Sequence, residues 1–125
     1  MEPKLFFCVG NNLALINEVK AFNPICVPNC ATFLFTFFSL LETERRQIGV
    51  VFIDVTPNIF PITLENVVNA LASVPTQFSG SASIVLNFSS EEALKIYESY
   101  FKDERIPVEL VLNYKPKIAV DSYLN

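Results

Sequence analysis

The stretch that decides the fold is GVVFIDVTP, residues 49–57. Residues 50–53 form an unbroken run of β-branched and aromatic side chains, which is typical of a strand covered on both faces in a parallel sheet. The run ends on Asp54, so a carboxylate stands where a buried strand would emerge into a loop. Ligands in open α/β sheets bind outside the carboxyl ends of the strands. Asp54 is therefore a candidate site residue, and the alternative is a cap in a solvated loop.

The rest of the chain alternates between strand and helix patterns around this segment. The alternation β-α-β-α-β-α-β-α-β with short links predicts one α/β domain over residues 1–125, with a central, five-stranded, mainly parallel sheet and helices on both faces. We expect Thr63 to cap the third helix, and Ser89 with Glu92 to form a capping box at the fourth. The other predicted strands are 4–9, 25–27, 82–88 and 108–114, and the first two helices are 13–22 and 31–46.

Composition limits the possible functions. A 125-residue chain with 51% hydrophobic and 18% charged residues can fold around one core. The net charge of −4 makes a nucleic-acid surface unexpected, because phosphate binding relies on clustered Lys and Arg. Three cysteines and no histidine favour reduced thiols in the cytoplasm and leave a tetrahedral metal site hard to complete, so we expect no metal.

No catalytic constellation stands out in the sequence. The chain has no histidine for general-base work, no Gly-rich phosphate loop ending in Lys-Ser or Lys-Thr, and no nucleophile elbow. Neighbouring acids such as Glu91 and Glu92 are typical of helix ends and solvated faces. We therefore expect neither an enzyme nor a cofactor.

The second predicted helix is apolar around most of its circumference. Residues 21–41 carry no charge, but two prolines and two asparagines interrupt the first half, so we expect a core or interface helix and no membrane span. One stripe is sufficient to pack on a sheet, and Phe33, Leu34, Phe37 and Leu41 supply it. The side chains left facing away are Phe35, Phe38 and part of Leu40. We predict that these three form an interaction surface for a protein partner or for self-association.

Several motifs resemble those of response-regulator receiver domains, which have a flavodoxin-like, three-layer fold. LFFCVGNNLALINEVKAF is similar to the family's first strand and helix, and VVFIDVTP resembles the third strand, whose terminal Asp accepts the phosphoryl group. IVLNFSSEEA resembles the fourth strand, and VLNYKPK resembles the fifth with its Lys-Pro pair. The resemblance implies a pocket formed by Asn11, Asp54, Asn87 and Lys115.

The departures from the receiver pattern concern the chemistry. Receivers hold a divalent cation partly through an acidic pair, and here Gly10 and Asn11 stand at those positions. Asn87 stands where the family has a hydroxyl residue, while Asp54 and Lys115 could still form an ion pair. The resemblance therefore implies a degenerate pseudo-receiver. We expect a non-catalytic interaction or signalling module, with a phosphorylatable receiver that uses Asp54 as an alternative.

A second resemblance covers residues 50–118 only. VVFIDV, SASIVLNF and VELVLNYKPK are similar to segments of an RNA-recognition motif, which has an α+β ferredoxin-like fold. Its inner strands carry base-stacking aromatics, and Phe52 could be one, but Ser83 and Val85 occupy the other expected places. This alternative predicts a protein-binding or RNA-binding module.

The last residues are few for a receiver. Its final helix usually needs about three turns or more, whereas residues 117–125 number only nine. We therefore expect either a domain cut from a longer protein or a flank that another subunit covers.

Overall fold

The structure is a computed structural model that describes residues 5–56, 61–73, 82–101 and 108–113. Lys115 and the expectation about residues 117–125 therefore lie outside the described residues. The strands and helices alternate as the sequence predicts. In chain order they are β1 (Leu5–Val9), α1 (Leu13–Val19), a 3₁₀ helix (Lys20–Phe22), β2 (Ile25–Val27), α2 (Cys30–Ser39), α3 (Glu42–Arg45), β3 (Ile48–Asp54), α4 (Pro61–Ala72), β4 (Ser83–Phe88), α5 (Glu91–Tyr100) and β5 (Val108–Leu112).

The five strands form one sheet in the order β2-β1-β3-β4-β5, and every neighbouring pair is parallel. This confirms the prediction that residues 50–53 lie in the middle strand. The order is that of flavodoxin-like folds, and it reverses between β1 and β3. Because a ferredoxin-like sheet is antiparallel, that alternative does not describe this chain.

The side chains of β3 alternate between two apolar layers, as a strand covered on both faces requires. Val51 and Ile53 pack in the layer that also contains buried residues of α2, α4 and α5. Val50 and Phe52 pack in the other layer, with Leu15 and other buried residues from α1 and the 3₁₀ helix. The apolar run at 50–53 thus fixes the centre of a three-layer α/β domain.

The single helix predicted over residues 31–46 is wrong in one respect, because it is broken between Ser39 and Glu42. Leu40 and Leu41 have ψ angles of 151° and 154°, which belong to extended backbone. Glu44 accepts a hydrogen bond from the Leu41 N–H at 2.9 Å and thereby starts a new turn. The side chain of Arg45 donates to carbonyl groups in the last turn of α2, in place of the N–H groups that a continuing helix would supply.

Two predicted helix caps also need correction. α4 begins at Pro61, so Thr63 lies inside its first turn; proline is favoured at a first helical position because its φ is already helical. α5 is capped by Ser90, whose hydroxyl accepts a hydrogen bond from the Ala93 N–H at 3.2 Å. The capping box predicted from Ser89 and Glu92 is therefore wrong: the cap lies one residue later, and Ala93 at the third helical position cannot make the reciprocal hydrogen bond. Among the helices of the described ranges, none is long and apolar enough to cross a membrane.

Candidate functional site

The first candidate site lies at the carboxyl end of the sheet, where the strand order reverses. Asp54 is the last residue of β3 and is half-buried. β1 pairs with β3 up to Val9 and Ile53, so the residues that follow β1 lie next to Asp54. On the other side, Asp54 is in register with Asn87 of β4. The topology therefore brings three strand ends to one carboxylate.

Two side-chain amides bind the same oxygen of Asp54. Asn12 Nδ2 and Asn87 Nδ2 each donate to Asp54 Oδ1 at 3.0 Å. The Asn12 amide is also fixed at its other end, because its Oδ1 accepts from the N–H groups of Ala14 and Leu15 and caps α1. No further hydrogen bond to the carboxylate of Asp54 is found within the part of the chain that the structure describes. Both amides therefore act on Oδ1.

Gly10 allows the backbone after β1 to approach Asp54 closely. Its φ is +122°, a conformation that residues with a side chain rarely adopt. A Cβ atom at position 10 would lie 3.0 Å from the Cβ of Asp54, which is closer than side chains pack. An acidic residue could not occupy this position without movement of the backbone. The position that the receiver family fills with a carboxylate is thus closed to side chains.

An open pocket of about 560 Å³ lies beside Asp54, between the segments that follow β1 and β2. Its described lining includes Asn11, Asn12, Asn29 and Thr56, so amide and hydroxyl groups surround a single carboxylate. None of the lining residues in the described ranges carries a positive charge. Such a pocket can donate and accept hydrogen bonds, and Asp54 supplies its one negative charge.

The structure brings together part of the predicted pocket. Asp54 and Asn87 are in contact, as the resemblance to receivers implied. Asn11 is exposed and lines the pocket, and the hydrogen bond to Asp54 comes from its neighbour Asn12. Asn12 was not among the predicted pocket residues. Its position directly after a strand next to β3 was the signal that could have added it to the site.

The second candidate site is the outer side of α2. Phe35 and Phe38 are 76% and 61% exposed, whereas Phe33 and Phe37 of the same helix are buried. Leu40 is half-buried and packs against the core, and Leu41, which the sequence assigned to the inward stripe, is 68% exposed. The two leucines exchange sides because α2 ends at Ser39, so helical periodicity no longer applies to them. We call Phe35, Phe38 and Leu41 the α2 surface.

Arg45 holds the end of α2 beside this surface. Its Nε donates to the Phe37 carbonyl at 3.0 Å, and its Nη2 donates to the Phe38 carbonyl at 2.8 Å. The guanidinium carbon lies 5.3 Å and 5.9 Å from the ring centroids of Phe37 and Phe38, within cation–π range. The adjacent Arg46 instead forms a surface ion pair with Glu42 at 2.7 Å.

Two of the three cysteines, Cys8 and Cys30, are buried, and Cys26 is exposed. No group of three or more His, Cys, Asp or Glu side chains that could hold a metal ion occurs among the described residues. Burial raises the pKa of Cys30 to about 11. Burial, followed by the neighbouring Cys26 thiol and the charge of Asp54, raises the pKa of Cys8 to about 12. Both thiols are therefore protonated, and weak nucleophiles, at neutral pH.

Comparisons of the chain with protein-family models, with curated proteins and with solved structures found no match. The class of the protein therefore comes from its topology, which is that of a flavodoxin-like α/β domain. Function has to be argued from the two candidate sites, because one fold serves many functions.

Proposed function

We propose that the protein is a non-catalytic interaction or signalling module with a degenerate receiver-like fold, and that the α2 surface binds its protein partner or a second copy of the chain. The observation that carries this proposal is the exposure of Phe35 and Phe38 on a helix whose neighbouring phenylalanines are buried. Exposed rings on adjacent turns give a patch of a few hundred square ångströms, the size at which soluble proteins usually bind another molecule.

The α2 surface has the features of a protein contact. Aromatic and arginine side chains are enriched at interfaces, and Arg45 lies beside the ring of Phe38. Because Arg45 binds two carbonyl groups of α2, the end of the helix is fixed before a partner arrives. Preorganisation of this kind lowers the entropy cost of association.

The composition around Asp54 supports a role that does not depend on aspartyl phosphorylation. Phosphorylation of a receiver needs a divalent ion whose charge neutralises acceptor and phosphoryl oxygens. Here the residues next to Asp54 are Gly10, which has no space for a side chain, and two neutral asparagines. The Asn12 and Asn87 amides already bind one oxygen of Asp54. These contacts make Asp54 a structural link between strand ends.

The α2 surface can be tested by a double substitution, Phe35→Ser with Phe38→Ser. A matched control, Leu13→Ser with Ile96→Ser, removes two side chains of similar exposure, 74% and 66%, from other helices. Self-association is measured by sedimentation, partner capture by pull-down from the source cell, and folding by circular dichroism. We expect the first variant to lose association while the control keeps it, with unchanged spectra in both.

Two outcomes would contradict the proposal. If Phe35→Ser with Phe38→Ser unfolds the chain, the rings belong to the domain's own core. If both double variants associate as the unchanged chain does, the α2 surface is no interface. The proposed location is the cytoplasm, where the three free thiols would stay reduced.

A phosphorylatable receiver is the second candidate, and the open pocket beside Asp54 favours it. This function requires that Mg²⁺ binds there. A magnesium titration followed by NMR at Asn12, Asp54 and Asn87 tests it, with Asp54→Asn as the control. We expect only weak shifts up to millimolar Mg²⁺, and saturable shifts that Asp54→Asn removes would favour the receiver.

A further inference from the structure

Cys8 and Cys26 face each other across the β1–β2 pair. The two residues are partners in the parallel register, between the pairs Phe7–Ile25 and Val9–Val27. The side chains of register partners lie on the same face of the sheet. Neighbouring strands lie about 4.8 Å apart. This separation lies within the Cα range of about 4.4–6.8 Å that disulfides span. The backbone thus places these two residues at a Cα separation that a disulfide can span.

The two thiols differ in access. Cys26 is exposed on the edge strand, and its Sγ lies 3.8 Å from the Pro24 carbonyl, to which it donates. Cys8 is fully buried under α1, and burial, followed by the neighbouring Cys26 thiol, raises its pKa. The Cys26 thiol is therefore open to a reagent in solution, whereas its register partner Cys8 is shielded.

We propose that Cys8 and Cys26 form a redox-active dithiol that hydrogen peroxide converts into a disulfide between β1 and β2. The Cys26 thiolate attacks a peroxide oxygen and the O–O bond breaks, which forms a sulfenic acid on Cys26. The departing hydroxide takes up the proton that the Cys26 thiol had lost and becomes water. The neighbouring Cys8 thiol then attacks the Cys26 sulfur while its proton passes to the departing hydroxide, so that the S–O bond breaks and water is released. The two thiols lose two electrons in all, and peroxide becomes two waters.

The disulfide would connect two walls of the pocket beside Asp54. β1 leads within two residues to Gly10, and β2 leads within two residues to Pro28, and both residues line that pocket. The backbone already joins these walls, since the Gly10 N–H donates to the Val27 carbonyl at 2.8 Å. Oxidation would therefore fix the spacing of the two segments. The proposal is independent of the role of the α2 surface.

The test treats the full chain with hydrogen peroxide and measures its intact mass under non-reducing conditions. Trypsin cleaves after Lys4, Lys20 and Arg45, so Cys8 lies in peptide 5–20 and the other two cysteines lie in peptide 21–45. Fragmentation of the linked peptides at Pro28, between Cys26 and Cys30, identifies which of them is bonded. Cys26→Ser is the control, because its exposed side chain can change without loss of the core.

We expect the mass to fall by two hydrogens, a dithiol reagent to reverse the change, and the linked peptides to show a Cys8–Cys26 bond that is absent in Cys26→Ser. In the same samples, the backbone amide NMR signals of Gly10 and of the residues next to Pro28 should shift. A Cys26–Cys30 bond within peptide 21–45, a dimer through Cys26, or oxidation that stops at added oxygen on Cys26 would overturn the proposal.

Discussion

The carboxyl end of the sheet and the outer side of α2 differ in which of their groups already have contacts within the fold. At the sheet end, Asn12 and Asn87 bind Asp54, and Gly10 packs against it. On α2, Phe35 and Phe38 stand mostly in water. The first region uses its polar groups within the fold, whereas the second exposes apolar surface that no described part of the chain covers.

The difference indicates which region can gain free energy by binding another molecule. An amide already bound to a carboxylate must give up that hydrogen bond before it can bind a ligand, so the net gain is small. Burial of an exposed phenylalanine releases water from apolar surface, which is worth about 1.5–3 kcal/mol when the burial is complete. This contrast supports the proposal that the Asp54 network is structural and that the α2 surface is the site of association.

The largest expected effect on the free energy of unfolding is a difference between two phenylalanines of one helix. Phe33 is fully buried with its ring 5.1 Å from that of Phe7, and Phe33→Ala should lower the free energy of unfolding by about 3–5 kcal/mol. Phe35→Ala should change it by less than about 0.5 kcal/mol. Urea denaturation measures both. A loss of more than half the Phe33 effect at Phe35 would mean that Phe35 is part of the core.

A smaller effect is expected at the Asp54 network. Asn87 is 4% exposed, and Asn87→Ala removes a hydrogen bond to a carboxylate and should lower the free energy of unfolding by about 1–3 kcal/mol. Asn11→Ala is the matched control. Because Asn11 is exposed, its replacement should lower the free energy of unfolding by less than about 0.5 kcal/mol. Equal effects of the two substitutions in denaturation would show that the network does not stabilise the sheet end.

The smallest effect compares two adjacent arginines. Arg45→Gln removes the hydrogen bonds to two α2 carbonyls and the contact with two rings, and should lower the free energy of unfolding by about 1–2 kcal/mol. Arg46→Gln removes an exposed ion pair with Glu42 and should lower the free energy of unfolding by less than about 1 kcal/mol. Thermal denaturation of both variants checks the order, and the reverse order would refute the role assigned to Arg45.

The sequence predicted the frame of the fold because the frame depends on local patterns. The apolar run at 50–53 and the alternation of elements were enough for the sheet and its central strand, while the approach of Asp54 to Asn87 was implied by the resemblance to receivers. The break of α2 at Leu40 was not predictable in this way. Leu40, Leu41 and Glu42 are all compatible with a helix, and the break is fixed by contacts from Glu44 and Arg45.

The candidate site was predicted in part for the same reason. Asn12 fits the pattern of a helix cap, and its second role depends on β1 lying next to β3, which the local sequence does not specify. The closeness of Gly10 to Asp54 is likewise a property of strand pairing. Leu40 and Leu41 were assigned to the wrong sides because a helical period was applied beyond the end of the helix.

In the proposed function, the Asp54 network is structural and does not carry out aspartyl phosphorylation. The most direct measurement is the intact mass of the chain after incubation with acetyl phosphate and Mg²⁺, with Asp54→Asn treated in parallel and a receiver that carries the acidic pair as a positive control. We predict no added phosphoryl group on the chain while the positive control is modified. Stoichiometric addition of one phosphoryl group that Asp54→Asn abolishes would contradict the account.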